Sequence, residues 1–257
     1  MELLVIIIAS AFASLVTLFS GFGLGTILTP VFVLFFPIEI AIALTGIVHL
    51  LNNIFKFVLL GKYAQWKVVL QFGIPSMLGA FFGAKLLLSL TMFTPIAVYH
   101  FSGKEFAVEP VKLSIAILMI YFALVEIFPA LQLFTPTKRS LPAGGLLSGF
   151  FGGFSGHQGA LRSIFLIRYG LSKEQFLATG IVVACLVDFT RLSLYSSQLL
   201  SSNAMQHWEF ITAAVISAFI GAYAGSKILK KITLGIVQKI VAVMLIAIAF
   251  GLGLGLI

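Results

Sequence analysis

Hydrophobic residues in this chain come in long runs rather than in the short alternating patterns of a soluble domain. Charged or turn-forming residues bound eight such segments: 2–36, 38–61, 68–90, 111–131, 141–170, 173–195, 208–229 and 235–257. A helix that crosses a bilayer needs about 20 mostly apolar residues. The pattern therefore predicts an all-α, polytopic integral membrane protein with about eight membrane segments.

The first and fifth segments are too long for one straight helix across a bilayer. At 1.5 Å per residue, a helix over 2–36 would be roughly 52 Å long, against a hydrocarbon core of about 30 Å. Both segments contain clustered glycines, "SGFGLG" at 20–25 and "SGFFGGFSGHQG" at 148–159, and glycine weakens a helix. We expect both to be broken at these glycines, either as kinked spanning helices or as re-entrant hairpins.

Short matches in the same order indicate an internal duplication. "FSG" occurs at 19–21 and 154–156, and "TGIV" at 45–48 and 179–182. Five further residues recur 142 positions later: Trp66, Gly79, Ala80, Gly83 and Lys85 match Trp208, Gly221, Ala222, Gly225 and Lys227.

The duplication divides the chain into two membrane repeats. We place the first repeat at 1–134, a polar, proline-containing linker at 135–140, and the second repeat at 141–257. Transporters built from two repeats hold their substrate at the repeat interface near the bilayer midplane, where broken helices meet.

The glycine breaks are therefore candidates for a substrate site. A break exposes N–H groups at the start of the next helix, and these groups together with the helix dipole favour an anion. The predicted contacts are Ser20, Gly21, Gly23, Gly25, Ser155, Gly156, His157, Gln158 and Arg162. The alternative is that these glycines only allow helices to pack closely.

Ionisable residues inside membrane segments are rare and usually functional. Lys56, Arg162 and Arg191 are predicted to supply positive potential to the substrate. Asp188 lies three residues before Arg191, on the same helical face. It either forms a plain ion pair there or, with His49, handles protons. Alternatively, Arg162 lies at a membrane boundary and extends its side chain to the headgroups. His49 could likewise serve only in a hydrogen bond between helices.

Composition narrows the class of protein. The chain is 60% hydrophobic and 9% charged, with a net charge of +8. Basic residues collect in the cytoplasmic loops of membrane proteins, so this charge does not indicate nucleic-acid binding. No metal-ligand spacing, cofactor motif or catalytic motif is present, so we expect a non-enzymatic protein without cofactor. Its expected partners are a small anion and membrane lipid; assembly with further copies of itself stays open.

The basic residues also bear on topology in a plasma (inner) membrane. If all eight segments span, four of the basic residues outside the segments lie on one side of the membrane and eight on the other. If the first and fifth segments are re-entrant, nine lie on one side and three on the other. The second arrangement agrees better with the positive-inside rule and makes the repeats inverted. Both arrangements place the N- and C-termini outside.

Three stretches are distinctive: "SGFGLGTILTP" at 20–30, "ALTGIVHLLNNIFKF" at 43–57 and "GFFGGFSGHQGALRSIFLIRYGLSKEQFLATGIVVACLVDFTRLSLY" at 149–195. Through them the chain resembles the TauE/SafE family of membrane permeases over nearly its whole length. The resemblance implies secondary transport of small sulfur-containing anions such as sulfite or organosulfonates. An anion channel and an intramembrane enzyme acting on a lipid-linked substrate are the alternative functions.

Overall fold

The protein is almost entirely helical, as the hydrophobic pattern predicts. The computed structural model describes residues 1–20, 23–128, 131, 137–201, 208–228 and 234–257. Its α-helices are α1 (Glu2–Ser20), α2 (Leu24–Val33), α3 (Ile38–Leu60), α4 (Trp66–Val68), α5 (Ile74–Leu90), α6 (Pro110–Ile127), α7 (Leu141–Ser155), α8 (Gly159–Ile167), α9 (Lys173–Ser201), α10 (Trp208–Ile228) and α11 (Leu234–Gly253). A π-helical turn, Val69–Gly73, joins α4 to α5.

Polar and apolar residues are distributed as in a membrane protein. Large apolar side chains such as Val58, Phe189 and Ile220 are 78%, 66% and 62% exposed, whereas Asp188 and Arg191 are fully buried. Within the described residues, four stretches are long and apolar enough to cross a membrane: Ile38–Tyr63, Trp66–Leu90, Lys173–Ser196 and Trp208–Gly225. Shorter apolar helices accompany them, so the number of crossings stays a prediction.

The two longest hydrophobic segments are both interrupted at their glycines. In the first segment, α1 ends at Ser20 and α2 begins at Leu24; in the fifth, α7 ends at Ser155 and α8 begins at Gly159. In the second interruption the chain turns back, because the Phe165 ring of α8 lies against Gly144 near the start of α7. In the first, α1 and α2 likewise pack against each other.

Glycines bring α5 and α7 into backbone contact. A Cβ at Gly145, Gly149 or Gly153 would overlap the backbone carbonyl of Phe72, Ser76 or Ala80, respectively. The partners advance by four residues at a time in the same direction along both segments, so α5 and α7 run parallel. On the other side of the molecule α1 packs against α10, where Gly221 lies on the backbone of Ala11. Small residues at such interfaces let membrane helices approach closely.

Two central helix pairs run antiparallel. Helices α3 and α9 cross so that His49 meets Asp188, while Gln65, after α3, donates its N–H to Thr179 near the start of α9. Helices α6 and α11 pack together, with Gly253 at the end of α11 lying against Ala116 near the start of α6.

A small β-hairpin marks one end of the molecule. Strands β1 (Ala97–Phe101) and β2 (Lys104–Val108) pair antiparallel around a two-residue turn, Ser102–Gly103, in which both residues have positive φ. The Tyr99 hydroxyl donates to the carbonyl of Leu254 at 2.7 Å, which fixes the hairpin beside the end of α11. The hydrophobic pattern alone did not predict these strands.

We call this end of the molecule the hairpin end. It also contains the end of α2 and the start of α3, since residues 33–38 line one groove with Leu256 and Ile257. At the opposite end, residues 141, 166, 169 and 171 pack around Val68 and Phe72.

The helix bounds lie close to the predicted segments, for example Ile38–Leu60 for 38–61 and Trp208–Ile228 for 208–229. Gly21 lies outside the described residues, as do 135 and 136 of the predicted linker. The division into two repeats stays a prediction at this point.

A cationic site where the two helix breaks meet

The two glycine breaks lie next to each other in the centre of the molecule. A Cβ at Gly25 would lie 3.0 Å from the carbonyl oxygen of Gly156, and one at Gly23 would lie 3.8 Å from the backbone nitrogen of Gly159. Glycine at these positions therefore lets the two backbones approach. Sequence reasoning assigned both breaks to one candidate substrate site, and in the structure the two breaks are adjacent.

Helices α2 and α8 both start at this meeting point. Gly23 and Gln158 are their N-cap residues, and neither helix start receives a hydrogen bond from the side chain of its N-cap residue. The first N–H groups of a helix have no partner within the helix, and the helix dipole places partial positive charge there. Two such helix starts therefore add positive potential to the centre of the protein.

Gly156 gives the second break its shape. It ends α7 with φ +80°, in the left-handed region that favours glycine, and its N–H donates to the Gly152 carbonyl. Arg191 Nη1 and Thr29 Oγ1 lie 3.2 and 3.3 Å from the point where a Cβ would stand. A side chain at 156 would thus compete with a buried guanidinium and a hydroxyl for the same space.

A buried carboxylate links α3 to α9 beside the breaks. Asp188 accepts a hydrogen bond from His49 Nδ1 at 2.5 Å and one from Arg191 Nε at 3.0 Å. Arg191 Nη2 lies 2.8 Å from the same carboxylate. All three side chains are buried. The ion-pair geometry considered from the sequence is therefore present, with His49 as a third member; the proposed roles in transport stay predictions.

Gln158 connects this triad to the second break. Its side-chain amide donates to Asp188 at 3.4 Å, and its side-chain oxygen accepts from Arg162 at 3.4 Å. Its backbone carbonyl accepts from the Ser148 hydroxyl at 3.0 Å. These contacts fix the start of α8 relative to α9.

A cavity of about 40 Å³ lies beside the triad, whereas a single water needs about 10–15 Å³ of such volume. It therefore has room for a few waters or one small polyatomic anion. Its described lining residues come from five helices and the first break: Thr17, Gly23, Leu24, His49, Asn53, Lys56, Arg162, Ser163, Phe176, Leu177, Gly180 and Ile181. None of them is a carboxylate.

Two of the cations predicted from the sequence lie in this cavity. Lys56 is 4% exposed and Arg162 is 9% exposed. Among the residues that the structure describes, neither forms a salt bridge with a carboxylate, and Arg162 donates a hydrogen bond to the side chain of Gln158. The third cation, Arg191, lies behind the cavity in its pair with Asp188.

The fold separates the remaining predicted residues. Gly23 and His49 line the cavity, whereas Ser155 and His157 do not. His157 Nδ1 donates to the Ser155 carbonyl at 2.9 Å, and its ring stacks on Phe122 with centroids 5.9 Å apart. Its contact with substrate stays a prediction. Of the first break, Gly21 lies outside the described residues, and the structure describes only the backbone of Ser20.

Sequence reasoning did not single out eight of the lining residues, of which Thr17, Asn53 and Gly180 are the most informative. Thr17 is buried near the end of α1, and Asn53 donates to His49 Nε2 at 3.2 Å. Gly180 faces Arg162, whose Nε would lie 3.3 Å from its Cβ. The signal for Gly180 was available in the sequence, since it belongs to the repeated "TGIV".

Among the described residues, no group of three or more His, Cys, Asp or Glu side chains is arranged to hold a metal ion. The family model for "Sulfite exporter TauE/SafE" matches residues 6–252 of the chain. No curated protein matches, and no solved structure matches.

Proposed function

The chain belongs to the TauE/SafE sulfite exporter family, a family of membrane transporters, and on this premise we propose that it is a secondary transporter of a small sulfur oxyanion. Sulfite and short organosulfonates are the proposed substrates. The observation that carries the proposal is the central cavity, which is lined by Lys56 and Arg162, has no carboxylate among its described lining residues and adjoins two helix starts without a side-chain cap.

Burial of two cations explains why an anion belongs here. A buried charge without a partner is costly because it has lost its hydration. Asp188 makes its hydrogen bonds to His49 and Arg191, and among the described residues it forms no salt bridge with Lys56 or Arg162. A bound oxyanion would offset the cost and accept charge-assisted hydrogen bonds, which are shorter and stronger than neutral ones.

Alternating access is supported by the way the two halves pack. Helix α1 of the first half packs on α10 of the second, while α7 of the second half packs on α5 of the first. The two equivalent pairs, α3 with α9 and α6 with α11, are antiparallel. Two inverted repeats would produce this reciprocal packing, in which each half contributes a helix to the same contact on the other half. We propose that each break is a re-entrant hairpin and that the two enter from opposite ends, as in inverted-repeat transporters.

The basic residues orient this arrangement in the membrane. With re-entrant hairpins, nine are expected on one side of the membrane, and the seven of these that the structure describes lie at the end opposite the β-hairpin: Lys62, Lys67, Lys138, Arg139, Arg168, Lys173 and Lys227. Three lie toward the hairpin end: Lys85, Lys104 and Lys112. By the positive-inside rule the opposite end is cytoplasmic, and both termini are outside the cell.

Proton coupling is the proposed energy source. His49 borders the cavity and contacts Asp188 directly. A proton gained by this pair would therefore make the electrostatic potential in the cavity more positive. Histidine and carboxylate pairs inside membrane proteins serve as proton relays. We propose that the His49–Asp188 pair gains and loses a proton once in each transport cycle.

Flux through proteoliposomes tests the proposal. Lys56→Gln and Arg162→Gln should each lower kcat/KM for sulfite about 10- to 100-fold, because a hydrogen bond to a charged group contributes about 1.5–3 kcal/mol. Lys239→Gln is the matched control, since Lys239 lies on the exposed surface of α11. A pH-sensitive dye inside the same vesicles should report proton movement with the anion.

Two results would refute the proposal. Unchanged sulfite and methanesulfonate flux in both cavity variants would remove the anion site. Currents far above carrier rates, without saturation, would instead identify an anion channel.

A further inference from the structure

We propose that the protein has a second oxyanion subsite on the hairpin side of the His49–Asp188–Arg191 triad, formed by Arg191, Thr29 and Thr45. The inference rests on the proposed transport of an oxyanion and adds where the anion is held when the transporter opens toward the hairpin end. The cavity described above is the subsite toward the opposite end.

The antiparallel helices α3 and α9 each carry a "TGIV" segment, and each has a cation nearer to its C-terminal end. In the cavity, Lys56 near the end of α3 and Gly180 of the α9 "TGIV" segment are both lining residues. On the other side of the triad, Arg191 of α9 lies against Gly46 of the α3 "TGIV" segment, where a Cβ would stand 3.3 Å from its Nη2. Each side of the triad thus pairs a cation from one helix with the repeated glycine of the other.

Each of the two glycines also faces an arginine. Gly180 faces Arg162, with Nε 3.3 Å from its Cβ position, as Gly46 faces Arg191. A larger side chain at either glycine would push the guanidinium out of place. The structure therefore places a guanidinium against the repeated glycine on both sides, and the cavity described above lies on the Arg162 side.

Two buried hydroxyls lie on the hairpin side without a hydrogen-bond partner. Thr29 and Thr45 are fully buried, and among the described residues their Oγ1 atoms have none. By contrast, Thr190, in α9, donates to the Leu186 carbonyl at 2.8 Å. A buried polar group without a partner costs free energy, so two of them beside a guanidinium indicate a place where a ligand supplies the acceptor.

The geometry around Gly156 brings these groups together. The empty position of its Cβ lies 3.2 Å from Arg191 Nη1 and 3.3 Å from Thr29 Oγ1. Gly25 joins the two sides, because its Cβ position lies 3.6 Å from the Thr45 methyl and 3.0 Å from the Gly156 carbonyl oxygen. Arg191 Nη1 and Thr29 Oγ1 therefore face the same point at the second break, and the Thr45 side chain lies beside the glycine that packs against this break.

Apolar side chains close this subsite in the present conformation. Leu28, Phe32, Leu44 and Phe154 belong to the large buried cluster around the hairpin side of the triad. On the other side of the triad, a cavity of about 40 Å³ is present. The structure thus has the form of a transporter closed toward the hairpin end, with its second subsite collapsed.

Side-specific kinetics test the inference. Membrane vesicles of both orientations are sorted by an epitope tag on the C-terminus, which lies at the hairpin end. Sulfite and methanesulfonate are the probes. Thr29→Val and Thr45→Val should each raise KM about tenfold for anion supplied at the hairpin end, the factor that 1.4 kcal/mol represents. KM for anion supplied at the opposite end should change less than about twofold.

Controls separate a lost ligand contact from a damaged fold. Thr190→Val should leave both KM values unchanged, because its hydroxyl is already bonded within α9. Thr45→Ser keeps the hydroxyl and should restore KM if Thr45→Val raises it. The melting temperature and the yield of each purified variant identify any variant that does not fold.

Four outcomes overturn the inference. Unchanged KM at both ends in the two valine variants, equal increases at both ends, or failure of Thr45→Ser to restore KM would each remove the subsite while leaving the anion transporter intact. Wild-type vesicles that move neither probe would remove the proposed function itself, and the subsite with it.

Discussion

Removal of the Asp188 carboxylate should destabilise the protein more than removal of any surface charge. Asp188→Ala would leave Arg191, which is fully buried, with only its 3.3 Å hydrogen bond to the Gly152 carbonyl among the described contacts. It would also leave His49 without its partner on α9. Breaking a buried ion pair from one side costs about 3–5 kcal/mol, because the remaining charge is buried and unpaired.

The double variant Asp188→Ala/Arg191→Met is the informative comparison. It removes both charges, so the penalty of an unpaired guanidinium disappears, and we expect it to be more stable than Asp188→Ala alone. Interaction energies between residues in direct contact reach about 0.5–3 kcal/mol in such cycles. The matched control is Glu105→Ala, since the His100–Glu105 pair on the β-hairpin is 72% and 65% exposed. Exposed pairs contribute about 1 kcal/mol or less.

The free energy of unfolding can be measured in mixed micelles with an increasing fraction of a denaturing detergent, followed by circular dichroism. Two results would refute this reasoning. One is an Asp188→Ala variant as stable as Glu105→Ala. The other is a double variant that loses as much stability as the two single variants added together, because the two charges would then be energetically independent.

Two further predictions concern the packing of α7. Gly149→Ala should cost at least about 1–3 kcal/mol and reduce the yield of folded protein, because its Cβ would overlap the Ser76 carbonyl; Gly251→Ala, whose Cβ would meet only a flexible side-chain end, should fold normally. Equal yields would show that α5 and α7 can separate at little cost. Tyr195→Phe removes the hydroxyl that donates to the Gly153 carbonyl and should cost about 1 kcal/mol in the same unfolding assay, while an unchanged free energy would show that this hydrogen bond is not needed.

Much of the fold could be predicted because each helix is specified by its own residues. The bounds of α3 and α10 follow from uninterrupted hydrophobic runs, and the interruptions after Ser20 and Ser155 follow from glycine. The β-hairpin at Ala97–Val108 was missed because its strands are short and mostly exposed, so they give no hydrophobic run.

The candidate site was only partly predictable. Lys56 and Arg162 stood out as cations inside apolar segments, and both line the cavity. His157 stood out in the same way, yet its ring packs on Phe122 of α6. Sequence position places His157 at the break but does not specify the direction in which its side chain points.

The sequence by itself determined that this is a helical membrane protein of the TauE/SafE family, with two glycine breaks and a few buried cations. These properties depend on local composition and on short motifs. Only the tertiary structure decided that the α7–α8 segment turns back, that the two breaks meet, and that Asp188 contacts His49 across 139 positions of chain. The physical reason is that these contacts join residues far apart in the sequence, and their geometry depends on how closely glycine lets the helices approach.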